Sequence, residues 1–227
     1  MDENVKKIVD LILDKETSFI MSVHTVVDNE FDISPHDFLE YAETDLASNY
    51  DHNIINALSN AKRALDCQLD YLLISFGFYN ISQKKNWGFP KKLEIIQLIG
   101  LIAPRILKKI NKQRNLLEHQ FIKPTNEQVE DMLDIAMLFI ASTDHYIFKF
   151  VSDIAYENKK LNTKILINLD YKASKIHVYQ YDNETKKYAD TIKDFEKDGI
   201  KPKSKIEWEQ GSSAYLDFLN IYVELIK

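Results

Sequence analysis

Apolar residues recur along the first two-thirds of the chain at the spacing of one helical face. Val5, Ile8, Val9, Ile12, Phe19, Val23 and Val26 fall mostly three or four apart, which predicts a helix over residues 3 to 27. Ser34 followed by Pro35 marks the cap and first position of a second helix. A third is expected from about Asp51 to Phe76, where Ile54, Ile55, Leu58, Ala61, Leu65, Leu69, Leu72 and Leu73 keep helical period and Gly77 closes it. "SQKKNWGFP" reads as a loop. A fourth helix is expected over about Pro90 to Leu101, and a fifth from Pro104 to Phe121, stopped by Pro124. Thr125 and Gln128 fit a capping box for a sixth, running to about residue 156 with a bend or a break around Ser142 and Thr143.

The period then changes. "KILINLDYKASKIHVYQYD" alternates and is rich in Ile, Tyr and Val, predicting strands over about 164–171 and 174–181 with a turn at Lys172 and Ala173. Residues 187–210 are polar, with a third strand expected near 205–209. "SSAYLDFLNIYVELIK" has helical spacing behind a cap at Ser212 or Ser213. The expected fold class is mainly α (α+β overall): a helical domain over 1–156 and a small C-terminal α/β appendage over 163–227.

Composition narrows the class. The 227 residues hold 45% hydrophobic side chains with only five Gly and five Pro, which favours long regular elements and one sizeable core. A single cysteine, Cys67, rules out an internal disulfide and a cysteine-based zinc cluster, and fits a reducing compartment. The start, "MDENVKKIVDLILDKE", mixes charge with apolar residues unlike a signal peptide, and no uncharged run reaches the roughly 18 residues of a membrane span. These features lead us to expect a soluble, cytoplasmic protein with no membrane partner. The formal net charge of −6 argues against a general nucleic-acid binder, yet residues 84 to 124 carry ten Lys and Arg against Glu94 and Glu118, a local +8. Such a segment focuses a polyanion on one surface or forms a solvated face balanced by acidic neighbours.

The fifth expected helix contains "RNLLEHQF", residues 114 to 121. At about 100° per residue, Leu107, Ile110, Leu117 and Phe121 form one stripe, and Arg114 interrupts it. A guanidinium in an apolar stripe is costly unless paired, and Glu118 lies one turn on. Asn111, Asn115, Lys108, His119 and Lys112 make a second, polar stripe. There Asn115 can hydrogen-bond His119 at i, i+4 and fix its tautomer. Taken singly, Arg114 is explained as a helix-tying arginine with its stem in the core, and His119 as a surface histidine near a helix C-terminus. Taken as an Arg–Asn–x–x–x–His unit on a basic helix, they favour a functional site more than either residue does singly.

"RNLLEH" resembles the Arg-x(4–6)-His signature of the HEPN superfamily, including the polar residue after the arginine. "NALSNAKRALDCQLDYLL" resembles the long helix that packs against the motif helix. The stretch from "GFPKKLEIIQLIG" to "MLDIAMLFI" resembles the helices around the motif. The likeness covers roughly residues 51 to 145 and leaves the N-terminal helices and the tail outside it. It implies a helical bundle that often dimerises with its motif helices face to face. Many members resemble metal-independent ribonucleases of toxin–antitoxin and antiphage systems, while others bind nucleotides or act as inactive scaffolds.

Carried onto this chain, the likeness implies that His119 is the general acid/base, Arg114 stabilises phosphorane-like charge, and Asn115 orients the site. Lys108, Lys112, Asn111 and Trp87 are the expected substrate-binding residues, with no cofactor. RNA transesterification needs a base, an acid and a cation. One chain offers one motif imidazole, and two chains about a twofold axis offer two. RNA or a nucleotide, a second copy and an antitoxin or defence-system protein are thus the expected partners, with Leu116 either an interface contact or packed within its own chain. The alternative is a non-catalytic HEPN module binding a nucleotide or partner protein, or a helical scaffold in which Arg114 is structural.

His24, His36, His52, His145 and His177 form no ligand-spaced pair, so no metal site is expected. Asp66 and Asp70, at i, i+4, are expected in ion pairs, with Arg114, Lys62 or Arg63 as partners. Tyr71, Phe76, Phe78, Tyr79 and Phe89 read as core, and Tyr171, Tyr179 and Tyr181 as sheet-face packing.

Overall fold

The computed structural model describes residues 1–29, 31–101, 123–182 and 200–226, and these fall into two compact units. One comprises Met1–Val26, Ser75–Phe78 and Phe148–Lys227; the other comprises Val27–Ile74 and Tyr79–Ile147.

The first unit is built on a five-stranded antiparallel sheet in sequential order. Its strands are β1 (Thr17–Thr25), β2 (Phe150–Asn158), β3 (Thr163–Asp170), β4 (Lys175–Asp182) and β5 (Ser204–Glu209). The chain enters through helix α1 (Glu3–Ile12), capped by Asp2, whose Oδ1 accepts from Asn4 N at 2.9 Å and Val5 N at 3.2 Å. It leaves through the C-terminal helix Ser213–Leu225, capped by Ser212, whose Oγ accepts from Tyr215 N at 3.2 Å.

The mainly helical bundle expected from the sequence is therefore incorrect, and the fold is mixed α/β. The expected helix 3–27 stops at Leu13, and residues 17–25 form β1 instead. The expected sixth helix ends at Thr143, and the stretch assigned to its last part enters β2. Two physical features decide this. Thr17 N bonds Asp14 O at 2.9 Å in a turn where Asp14 Oδ1 also accepts from Glu16 N at 2.8 Å. Beyond the turn, "TSFIMSVHT" carries β-branched and aromatic residues that pair with β2 from Thr17↔Asn158 to Thr25↔Phe150, with register shifts after Phe19 and Val23.

Registration across β2, β3 and β4 sorts the side chains by face. Ile154, Ile167 and Val178 lie on one face, and Ile176 pairs with Trp208, whose ring lies 4.9 Å from Phe218 of the C-terminal helix. Ala155, Leu166 and Tyr181 form a buried cluster on the other, packed by Ile20, Met21, Tyr179 and Ile200. With both faces covered, β3 buries Ile165, Leu166, Ile167 and Leu169 almost completely. Tyr222, fully buried, satisfies its hydroxyl by donating to Val151 O.

His177 on β4 is half-buried, with Nδ1 3.1 Å from Glu207 Oε2. Burial pushes its imidazole below the ordinary 6.5, against the opposing pull of Glu207. The unfolded chain then takes up this proton first. Stability present above 6.5 is lost as pH falls through the window between that value and the folded one. Urea midpoints measured from pH 7.5 down to 5.5 should show this decline, and His177→Gln should flatten it.

The second unit is helical. Helix α2 (Pro35–Ala47) opens on a complete capping box between Ser34 and Asp37, and α3 (Asn53–Ser75) buries Ala57, Ala61, Ala64, Leu65, Leu69 and Leu72. Then come α4 (Tyr79–Lys84), α5 (Phe89–Leu98), α6 (Asn126–Thr143) and the short α7 (His145–Phe148). The C-terminal helix is α8. Thr125 and Gln128 form the capping box of α6, which packs against α2 and buries Met132, Ala136 and Ile140.

Asp70 of α3 and Lys92 of α5 make an ion pair at 2.6 Å, with side chains 18% and 11% exposed. Burial raises the Asp70 carboxyl, and the Lys92 ammonium partly offsets that. Lys92→Met should cost about 3 kcal/mol at pH 7, because it strands a buried carboxylate. The deficit should shrink as pH falls and Asp70 protonates. Asp70→Leu combined with Lys92→Met should recover most of the loss in chemical denaturation.

Candidate functional site

The motif residues Arg114, Asn115 and His119, together with Lys108, Asn111, Lys112, Leu116 and Glu118, lie outside the described residues. Trp87 is described. It sits beyond α4 with its N–H bonded to Ser82 O at 3.0 Å, after Asn86 at φ 49°, and its ring is half-buried. The polar loop expected there is partly helical, since Tyr79–Lys84 forms α4.

The cations leading towards the motif divide into two groups. Lys92 turns inward to Asp70, and Lys91 pairs with Glu94 at 2.7 Å. Lys84 and Lys85 are exposed. The first two charges are therefore compensated locally, which narrows the basic surface that the sequence offers to a polyanion. Asp70 does form an ion pair, and among the described residues its partner is Lys92, 22 positions away, rather than Lys62 or Arg63 on α3; Arg114 lies outside the described residues.

The described helices also assemble a group that lay scattered in the sequence. His36 Nε2 lies 2.8 Å from Asp144 Oδ2, and Asp144 Oδ1 accepts from Gln68 Nε2 at 3.2 Å. Gln68 is buried and also donates to Thr143 Oγ1 at 2.8 Å, and that hydroxyl donates to Phe139 O at 2.8 Å. A carboxylate held from behind fixes one tautomer of an exposed imidazole, which is how a general base is oriented. Among the described residues no hydroxyl or thiol contacts the ring's other nitrogen, so this group fastens the start of α2 to the end of α6. No local pattern announces it, because 108 positions separate His36 from Asp144.

Cys67 is no nucleophile. Its thiol points to Ile33 O at 3.6 Å, and burial, reinforced by the Asp70 carboxylate, pushes it up from 9.0 to about 12. The thiolate is correspondingly scarcer than in an unperturbed thiol. Alkylation by iodoacetamide at pH 7.5 should be at least about tenfold slower than in the urea-unfolded chain.

Among the described residues, no group of three His, Cys, Asp or Glu side chains could hold a metal ion, and no helix is long and apolar enough to cross a membrane. No family model, curated protein or solved structure matches this chain.

Proposed function

We propose that the chain is a metal-independent endoribonuclease of the HEPN type, acting in the cytoplasm as a homodimer, with a role as a toxin or antiphage effector. The observation that carries this reading is "RNLLEH", which sets Arg114, Asn115 and His119 in one short stretch of a locally cationic segment. One His119 takes the proton of a ribose 2′-hydroxyl, whose oxygen attacks the adjacent phosphorus. The bond from phosphorus to the 5′-oxygen breaks, and the second His119 protonates that oxygen as it leaves. Arg114 carries the charge on the nonbridging oxygens, and Asn115 holds the imidazole in one tautomer. The products are a 2′,3′-cyclic phosphate and a 5′-hydroxyl.

The need for two imidazoles supports the dimer. On a helix, Arg114 and His119 point about 140° apart, so one chain supplies half of such a site. Lys108, Lys112, Asn111 and Trp87 are the proposed RNA contacts. The test is incubation of the purified full-length protein with labelled RNA in EDTA. Cleavage under these conditions supports the reading, and intact RNA together with harmless expression in cells favours a non-catalytic module.

A further inference from the structure

A cleft of about 490 Å³ is lined entirely by polar side chains of α2, α3 and no other element: Tyr41, Thr44 and Asp45, with Asn56, Ser59, Asn60 and Arg63. The volume falls within the range of small-molecule sites. The spacing is i, i+3, i+4 on α2 and i, i+3, i+4, i+7 on α3, so each helix presents a continuous polar stripe. Beneath the cleft, Ala42, Ala57 and Ala61 are fully buried.

Internal hydrogen bonds consume the groups unequally. The Asp45 carboxylate accepts from Tyr50 Oη and from Asn60 Nδ2 at 2.8 Å, and Asn56 Nδ2 donates to Tyr50 Oη at 3.2 Å. Arg63 makes one long contact among the described residues, Nη1 to Asn60 Oδ1 at 3.4 Å. A guanidinium has five donors in a planar fork, so most of its capacity faces the cleft unspent. The hydroxyls of Ser59 and Thr44 line the same cleft and add further donors. Asn56 Oδ1 and the second lone pairs of Asp45 remain as acceptors. The exposed Tyr41 ring offers a flat apolar wall.

We infer that this cleft binds a small polyhydroxylated molecule carrying one oxyanion, a sugar phosphate or a sugar acid. Arg63, Ser59 and Thr44 take the oxyanion, Asp45 and Asn56 accept from sugar hydroxyls, and the Tyr41 ring covers a C–H face. Every residue involved belongs to α2 or α3, so the inference stands apart from the ribonuclease reading.

Calorimetric titration of the full chain with ribose 5-phosphate, glucuronate, ribose and inorganic phosphate tests it. At least one of the two anionic sugars should bind saturably, and which one it is separates the phosphate from the carboxylate source. Ribose and inorganic phosphate should each bind at least about tenfold more weakly, since each lacks one half of the recognised chemistry. Arg63→Ala, an exposed position whose folding is checked by circular dichroism, should weaken the anionic sugar by a similar factor. Any one of three results overturns the inference: no saturable binding of either sugar, inorganic phosphate binding as tightly as both, or affinity unchanged by Arg63→Ala.

Discussion

His119→Ala should reduce RNA cleavage in EDTA by about 10²–10⁴-fold, the usual contribution of a positioned general acid or base. Its thermal unfolding should match the wild type, because on the helix expected from the sequence His119 falls in the polar stripe rather than the apolar one. The expected dimer adds a sharper consequence. If one composite site needs an imidazole from each chain, a wild-type chain paired with a His119→Ala chain is inactive. Co-expression in equal amounts should then leave about a quarter of the protein as active dimers rather than a half, by random pairing. Activity falling only in proportion to wild-type content would assign both proton transfers to one chain. Arg114→Ala should also lose cleavage, and as it interrupts an apolar stripe it should change stability too.

Gly77→Ala should destabilise the sheet unit by about 2–5 kcal/mol. Gly77 has φ +72°, where an L side chain costs about 1–2 kcal/mol. A Cβ there would lie 2.7 Å from Tyr215 Oη and 3.0 Å from Ser174 Cα. Neither neighbour yields easily. Tyr215 is fully buried, and its hydroxyl donates to Phe76 O at 3.0 Å, while the contact at Ser174 is backbone at φ 56°. Relieving the clash adds about 1–3 kcal/mol, as overpacking does elsewhere. Two controls separate the causes. Gly211→Ala, at φ +103° with nothing within 4 Å, should show the backbone cost alone. Gly88→Ala, whose nearest neighbour would be Pro90 Cδ at 3.8 Å, should be close to neutral. Urea denaturation that ranks the three equally would remove the steric explanation.

Much of the helical unit was legible because its signals are local. Ser34–Pro35 and the Thr125–Gln128 pair announced the starts of α2 and α6, and both capping boxes form. The alternation in "KILINLD" and "KIHVYQYD" located β3 and β4 to within a residue at each end, and β5 near 205–209 was equally visible. The strands that were missed depend on distant partners. β1 and β2 pair across more than 120 positions, and β2, "FVSDIAYEN", buries residues on both faces, so it lacks the alternation that would mark it as a strand. Phe19, Val23 and Val26 continue the α1 spacing by coincidence, and the turn at Asp14 is what breaks it.

The candidate chemistry divided along the same line. The proposed Arg114–His119 motif stands out in the sequence because it is compact, and it lies outside the described residues. By contrast, the Asp70–Lys92 pair and the His36–Asp144–Gln68 group exist only once α3, α5 and α6 have packed. The polar stripe Asn56, Ser59, Asn60 and Arg63 was present in the sequence of α3, but only its opposition to Tyr41, Thr44 and Asp45 makes it a cleft.

The most direct test of the proposed activity is the chemistry of the cut ends. RNA incubated with the full-length protein in EDTA should yield fragments ending in 2′,3′-cyclic phosphate and beginning with 5′-hydroxyl, and His119→Ala should yield about 10²–10⁴-fold fewer of them. Fragments with 5′-phosphate ends, or a cleavage pattern that survives His119→Ala unchanged, would contradict the mechanism.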